Sequence, residues 1–273
     1  MKRHFLFCLL ALLVVSLAEA QTVVPLKKYA GNLKYIDVVV GGQSYKFLFD
    51  SGGGKTIISP AVAAALGKEP YGRSVSFRMS GEQVAFEHCD SVTLSLAGVN
   101  IPHPQLAVWD IMQVLPKELP PVDGLISLKT FEHLPVTVDL PNSRLILETA
   151  QSLRDKTRRM QLIPSRFSTG LDGAELGLFL GVPQNGKLWW FLFDSANLSD
   201  LLLSPVTAEA WGYAVKKSDA PQEIDSITFT PFADTPVQAA VENIIYDGAL
   251  NYSVLSGRRF TISYPARKVW MSP

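Results

Sequence analysis

The chain has 273 residues, 47% of them hydrophobic, with 25 basic and 25 acidic side chains. That length suits one large domain or two of ordinary size, and the apolar share supplies a full core. The balanced charge argues against the basic footprint of a nucleic-acid binder and against a polybasic membrane-surface patch.

Residues 1–20 read as a secretory signal peptide. Lys2 and Arg3 precede the apolar run FLFCLLALLVVSLA, which is too short to span a bilayer, and Ala18-Glu19-Ala20 offers a small-x-small cleavage site. Cleavage after Ala20 leaves Gln21 as the first residue and implies a periplasmic or secreted protein with no membrane attachment. It also removes Cys8, so Cys89 remains alone and no internal disulfide can form. Such a composition suits a bacterial periplasm better than a eukaryotic secretory route.

The remaining chain reads as mostly β. YIDVVV and YKFLFD flank Gly41-Gly42-Gln43-Ser44 as a hairpin. A short helix follows, with Ser59 as N-cap, Pro60 at its first position and Gly67 as its stop. Residues 75–96, VSFRMSGEQVAFEHCDSVTLSL, read as strands about a turn at Ser80-Gly81-Glu82. Within them His88-Cys89-Asp90 has no second His or Cys at ligand spacing, so it reads as a strand face with no metal site. VTVD and RLILET are strands, and the basic segment QSLRDKTRRMQLIP connects to the second half, with Arg158-Arg159 on a solvated face. LGLFLGV, LWWFLFD, SITFTPF and RRFTISYP repeat the β style, and SPVTAEAWG repeats the helix signals at Ser204, Pro205 and Gly212. Trp189-Trp190 reads as core and cleft wall.

The chain also repeats itself. FLFDSGGGKTIISPAVAAALG, from residue 47, aligns with FLFDSANLSDLLLSPVTAEAWG, from residue 191, with one gap and ten identities in 21 aligned positions. VDGLISLKTFEHLPVTVDLPNSRLILET, from residue 122, lies without a gap over YDGALNYSVLSGRRFTISYPARKVWMSP, from residue 246. The organisation expected is a signal peptide (1–20), an N-terminal lobe (21–150), a connecting segment (151–162) and a C-terminal lobe (163–273). Asp123 and Asp247 recur as acids before a glycine and read as turn residues.

A carboxylate that ends a buried apolar strand has its charged form disfavoured. Two such acids, one per copy, can face each other across a pseudo-twofold axis and share a proton, and a water between them could then be activated. Asp50 and Asp194 are those acids. Ser51 and Ser195 can hydrogen-bond within the turns, and Gly52 lets backbone N–H groups approach a carboxylate.

FLFDSGG and FLFDSAN, each followed by a short helix, together with DGLIS and DGALN, resemble the pepsin-like and retropepsin-like aspartic proteases over nearly the whole mature chain. The resemblance implies an all-β, two-lobed pepsin-like fold of duplicated retropepsin-like barrel lobes with a few short helices. It implies catalytic Asp50 and Asp194, supported by Ser51, Gly52, Ser195 and Ala196. It also implies a hairpin flap over residues 75–96, where Phe77, Met79 and Gly81 are the candidates near the tip. The second lobe has about twenty fewer residues between its Asp-Ser and Asp-Gly, so its flap equivalent should be reduced. The implied activity is an endopeptidase that needs no cofactor or metal, takes an extended peptide or protein substrate and works as a monomer. The chain departs from the family pattern at Gly53, which lacks the usual hydroxyl or methyl, and at Ser127, Ala196 and Asn251, where glycine is usual. A peptide-binding protein on the same scaffold, with impaired catalysis, is the alternative.

Overall fold

The computed structural model describes residues 21–170, 172–198, 201–216 and 220–273. The signal peptide expected over 1–20 lies outside them.

Three sheets organise these residues. The first half forms an eight-stranded sheet whose centre runs Gln43–Phe49, Gly124–Ile126, Ile57–Ile58, Val99–Val108. The second half forms a seven-stranded sheet with the matching centre Lys187–Phe193, Gly248–Leu250, Leu201–Leu203, Ala233–Val241. In both, the strand before the acid runs parallel to the Asp-Gly strand. The short strand after the acid then pairs with that Asp-Gly strand in the antiparallel sense. This is the two-lobed pepsin-like architecture, all-β with four short α-helices among the described residues.

Local sequence explains the shared centre. Gly124-Leu125-Ile126 and Gly248-Ala249-Leu250 are buried at every position, as short apolar runs without alternation require. Their leading glycines are forced by close approach. A Cβ on Gly124 would lie 2.3 Å from the Ile57 carbonyl oxygen, and one on Gly248 would lie 2.5 Å from that of Leu202. The preceding acids tie the strands together. Asp123 accepts from the Lys46 N–H at 2.8 Å and Asp247 from the Trp190 N–H at 2.8 Å, the donors lying four residues before Asp50 and Asp194. The expected helices are present as Pro60–Ala65 and Pro205–Ala210, capped by the hydroxyls of Ser59 and Ser204.

The third sheet has six strands, three from the first half, two from the second and Gln161–Ile163 from the segment between them. At its centre Val136–Asp139 pairs antiparallel with Arg259–Ser263, placing Val136 opposite Ile262, Thr137 opposite Thr261 and Val138 opposite Phe260. In the repeat register Val136 matches Phe260 and Val138 matches Ile262, so the pseudo-twofold axis passes between Thr137 and Thr261. Their hydroxyls are hydrogen-bonded at 2.8 Å. Beneath them the fully buried Glu148 carboxylate accepts hydrogen bonds from Thr137, Ser152, Gln21 and Lys156. Burial would raise its pKa, but the hydrogen bonds from Lys156, Ser152 and Thr137 and the charge of Lys156 hold it below the usual carboxylate range.

The connecting segment is more ordered than its sequence suggests. It contains a helix, Ala150–Thr157, and the strand Gln161–Ile163. The helix buries no side chain, so it carries no apolar stripe, and its capping box pairs Thr149 with Ser152 rather than with Glu or Gln.

Candidate active site

The two acids occupy equivalent positions at the ends of the central strands. The Asp50 N–H donates to the Ile126 carbonyl at 3.0 Å, and the Asp194 N–H donates to the Leu250 carbonyl at 3.0 Å. Asp50 Oδ1 accepts from the Gly52 N–H at 2.8 Å. Asp194 Oδ1 accepts from the N–H groups of Ala196 and Asn197, both at 3.1 Å.

Both carboxyl groups converge on Gly52. Its own N–H holds Asp50, while a Cβ built on it would lie 2.7 Å from Asp194 Cγ. Any side chain at position 52 would therefore displace the second acid. Gly53 is constrained in the same way, because a Cβ there would lie 2.9 Å from Asp50 Oδ2. Burial raises the pKa of Asp50, the negative charge of Asp194 raises it further, and the Gly52 and Gly53 N–H groups offset part of the rise. Burial also raises the pKa of Asp194, against the opposing N–H groups of Ala196 and Asn197. Burial thus drives both rises, and the neighbouring carboxylate adds to that of Asp50.

The two serines lock the loops together, but unequally. The buried Ser51 hydroxyl donates to the Phe193 carbonyl at 2.9 Å and accepts from the Ser195 N–H at 2.8 Å. The buried Ser195 Oγ has no hydrogen-bond partner among the described residues. The grip between the lobes is thus supplied by the first lobe's hydroxyl.

The sequence departures are accommodated without backbone strain. Ser127 has φ −101° and Asn251 φ −92°, extended conformations open to any residue. Ser127 is fully buried, and its Oγ bonds Thr56 Oγ1 at 3.1 Å, donates to the Gly54 carbonyl at 3.3 Å and accepts from the Lys129 N–H at 3.2 Å. The serine fills its space with hydrogen bonds that a glycine could not make.

A hairpin covers the acids. Tyr71–Phe77 pairs with the start of Gln83–Leu96, and the tip closes through Arg78 N–H to the Glu82 carbonyl at 2.8 Å, with Gly81 at φ +86°. The tip rests on the second lobe. The Met79 carbonyl accepts from the Ile245 N–H at 3.0 Å, and the Met79 side chain packs against an apolar cluster that includes Leu192 and Ala249. Phe77 is 54% exposed and lines the cleft, as do Met79 and Arg78. In the second half the strands Gln222–Phe229 and Ala233–Val241 match Gln83–Leu96 and Val99–Val108. Among the described residues of the second half, no strand stands where Tyr71–Phe77 does.

Under the flap lies a cavity of about 520 Å³ lined by Asp50, Asp194, Gly52 and Ala196. Ile57, Phe86, Trp109 and Ile111 form its wall from the first half, and Phe179, Leu192 and Tyr246 form its wall from the second. Tyr246 was not singled out by its sequence. Burial raises its pKa first, and the charges of Glu175 and Asp194 add to the rise. Trp189 and Trp190 are absent from this wall, which corrects their expected cleft role. Trp189 is buried in the core against Trp211, and Trp190 stacks under the Arg166 guanidinium at 3.9 Å. Alternation turns Trp189 to the face opposite Leu192 and Asp194, while Trp190 shares their face but lies four residues, about 13 Å, back along the strand from Asp194.

One further group spans the lobes. Lys55, only 2% exposed, leaves the loop that follows Asp50 and pairs with Asp172 at 2.9 Å and Glu175 at 3.6 Å in the second half. Nothing local in GGGKT signals partners 117 and 120 residues away.

Two pseudo-symmetric acids between two β lobes, beneath a flap, define the class: a protein of the pepsin-like aspartic protease fold. Residues 36–130 match the family model described as aspartyl protease. Among solved structures, the chain is similar to basic 7S globulin from soybean (TM-score 0.52) and to conglutin gamma, a basic 7S globulin from lupine seeds (TM-score 0.54). It is also similar to edgp (TM-score 0.57). Each similarity covers 92% of this chain and 94% of the other at 11% identity, a level that speaks for the fold alone. No curated protein matches the chain in sequence. The first half therefore carries the aspartyl protease sequence pattern, and the whole chain carries the two-lobed fold.

Proposed function

We propose that the protein is an exported, monomeric aspartic endopeptidase. The observation that carries this reading is the convergence of two buried carboxyl groups of raised pKa on Gly52. Such a pair holds one proton over a broad pH range. The ionised member takes a proton from a water between them, and that water attacks the peptide carbonyl carbon. The protonated member donates to the carbonyl oxygen, giving a tetrahedral intermediate. The intermediate collapses to a carboxylic acid and an amine when the leaving nitrogen takes up a proton. The substrate lies extended under the flap, whose Tyr71–Phe77 strand sits at the edge of its sheet and offers main-chain groups.

Incubation of the mature protein with denatured proteins from acid to neutral pH tests this reading. Cleavage that is lost in Asp50→Asn and in Asp194→Asn, and blocked by a statine-type inhibitor, is the expected result. A second reading, a peptide-binding protein with impaired chemistry, is favoured by the one-sided serine grip and by the methyl group of Ala196 at the cleft. Binding of peptide with no cleavage at any pH would select it.

A further inference from the structure

Among the described residues, the charged side chains that line the cleft are Asp50, Asp194, Glu175 and Arg78. Arg78 points along the flap tip and pairs with Glu82 at 3.2 Å. Glu175 sits on the opposite wall, its side chain 23% exposed. Three contacts fix it there. The Ser76 hydroxyl of the flap donates to Glu175 Oε1, Lys55 Nζ lies at 3.6 Å, and Gly170 leaves room where a Cβ would meet Glu175 Cδ at 2.9 Å.

The charges around Glu175 do not balance. Among the described residues Lys55 is the one cation paired with it, and it lies closer to Asp172, at 2.9 Å. One ammonium thus serves two carboxylates, and the carboxylate left short of a partner is the one that lines the cleft. With a singly protonated acid pair, the formal charge facing a bound peptide is negative on two sides. Low-dielectric walls strengthen such a field, and a fixed, partly desolvated carboxylate favours a charge-assisted hydrogen bond from an ammonium or guanidinium group.

We infer that Glu175 is a specificity-determining residue that selects a lysine or arginine side chain at one fixed position of the bound peptide. The inference rests on the cleft being the peptide site proposed above and names the substrate class that this site prefers. Ser76 couples the selection to the flap, because the hydroxyl that steadies the carboxylate lies on the strand that covers the substrate.

The test is a positional-scanning library of extended decapeptides in which each position in turn is Lys, Arg, norleucine or Glu. Binding and cleavage are read separately with the wild type and with Glu175→Gln, which keeps an acceptor for Ser76 but removes the charge. At one position, Lys and Arg are expected to outbind norleucine at least tenfold in the wild type and no more than twofold in Glu175→Gln. Asp172→Asn, which frees Lys55 for Glu175, is expected to weaken the preference in the same direction and serves if Glu175→Gln fails to fold. Peptides bound or cut with no basic preference, or with one that survives both variants, overturn the inference and leave the peptidase reading standing. A Glu175-dependent preference in binding without any cleavage supports the inference and defeats the peptidase reading. A library neither bound nor cut defeats both.

Discussion

Replacing Ser51 by alanine tests the one-sided grip between the lobes. The Ser51 hydroxyl is fully buried and makes two hydrogen bonds to the other lobe, one to the Phe193 carbonyl and one from the Ser195 N–H. Alanine leaves a buried acceptor and a buried donor without partners, at about 1–3 kcal/mol for each. The expected loss is about 2–6 kcal/mol, or a melting temperature lower by roughly 4–12 °C for a chain of this size. Ser195→Ala is the control. Its Oγ has no partner among the described residues, so removing it should change stability by less than about 1 kcal/mol, toward stabilisation. Urea and thermal unfolding of both variants at one pH measure the difference. Equal losses in the two variants, or a Ser51→Ala loss below about 0.5 kcal/mol, would refute the asymmetry.

Other outcomes follow from the same geometry. Asp50 binds its proton more tightly in the folded than in the unfolded state, so its contribution to stability is present below the unfolded pKa and is lost as pH rises through the folded one. Asp50→Asn should therefore abolish cleavage yet melt higher than the wild type, by a margin that grows about 1.4 kcal/mol per pH unit from near pH 4 and then levels off; a constant margin between pH 4 and 8 would count against a raised pKa. The same shift should place the activity optimum above the ordinary carboxylate range, as a pH profile of kcat/KM would show. Gly52→Ala puts a methyl carbon 2.7 Å from Asp194 Cγ and should cost about 1–3 kcal/mol along with most of the activity, whereas Ala196→Gly should keep both within twofold or about 1 kcal/mol. Ser127→Gly restores the glycine usual in the family but removes the contacts to Thr56, Gly54 and Lys129, so a denaturation curve should show a loss of about 1–2 kcal/mol rather than a gain.

The acids and their scaffold were legible because duplication wrote them twice. FLFDS and the Asp-Gly segments mark the strands that converge, and Ser-Pro marks both helices. The features that escaped notice had no local cause to display. The helix Ala150–Thr157 has no buried face, so no periodicity announces it. Lys55, Asp172 and Glu175 meet only because the lobes close on each other, and Tyr246 enters the cleft through the fold of a segment whose first-half counterpart is Val122. Ser127 and Asn251 looked like lost glycines. Their extended backbone shows that space, not φ, governs those positions.

The twofold running through Thr137 and Thr261 is carried by one continuous chain, and that has a consequence for how the site can change. In an assembly of two identical subunits every substitution is made twice, once on each side of the axis, so an improvement on one side is tied to its mirror image. Here the paired positions vary separately. Glycine stands at 52 opposite alanine at 196, one serine bonds across the axis while its twin does not, and a flap and a lysine on one side meet a glutamate on the other. The molecule keeps the symmetry its two acids need and is free to be lopsided everywhere a substrate would notice.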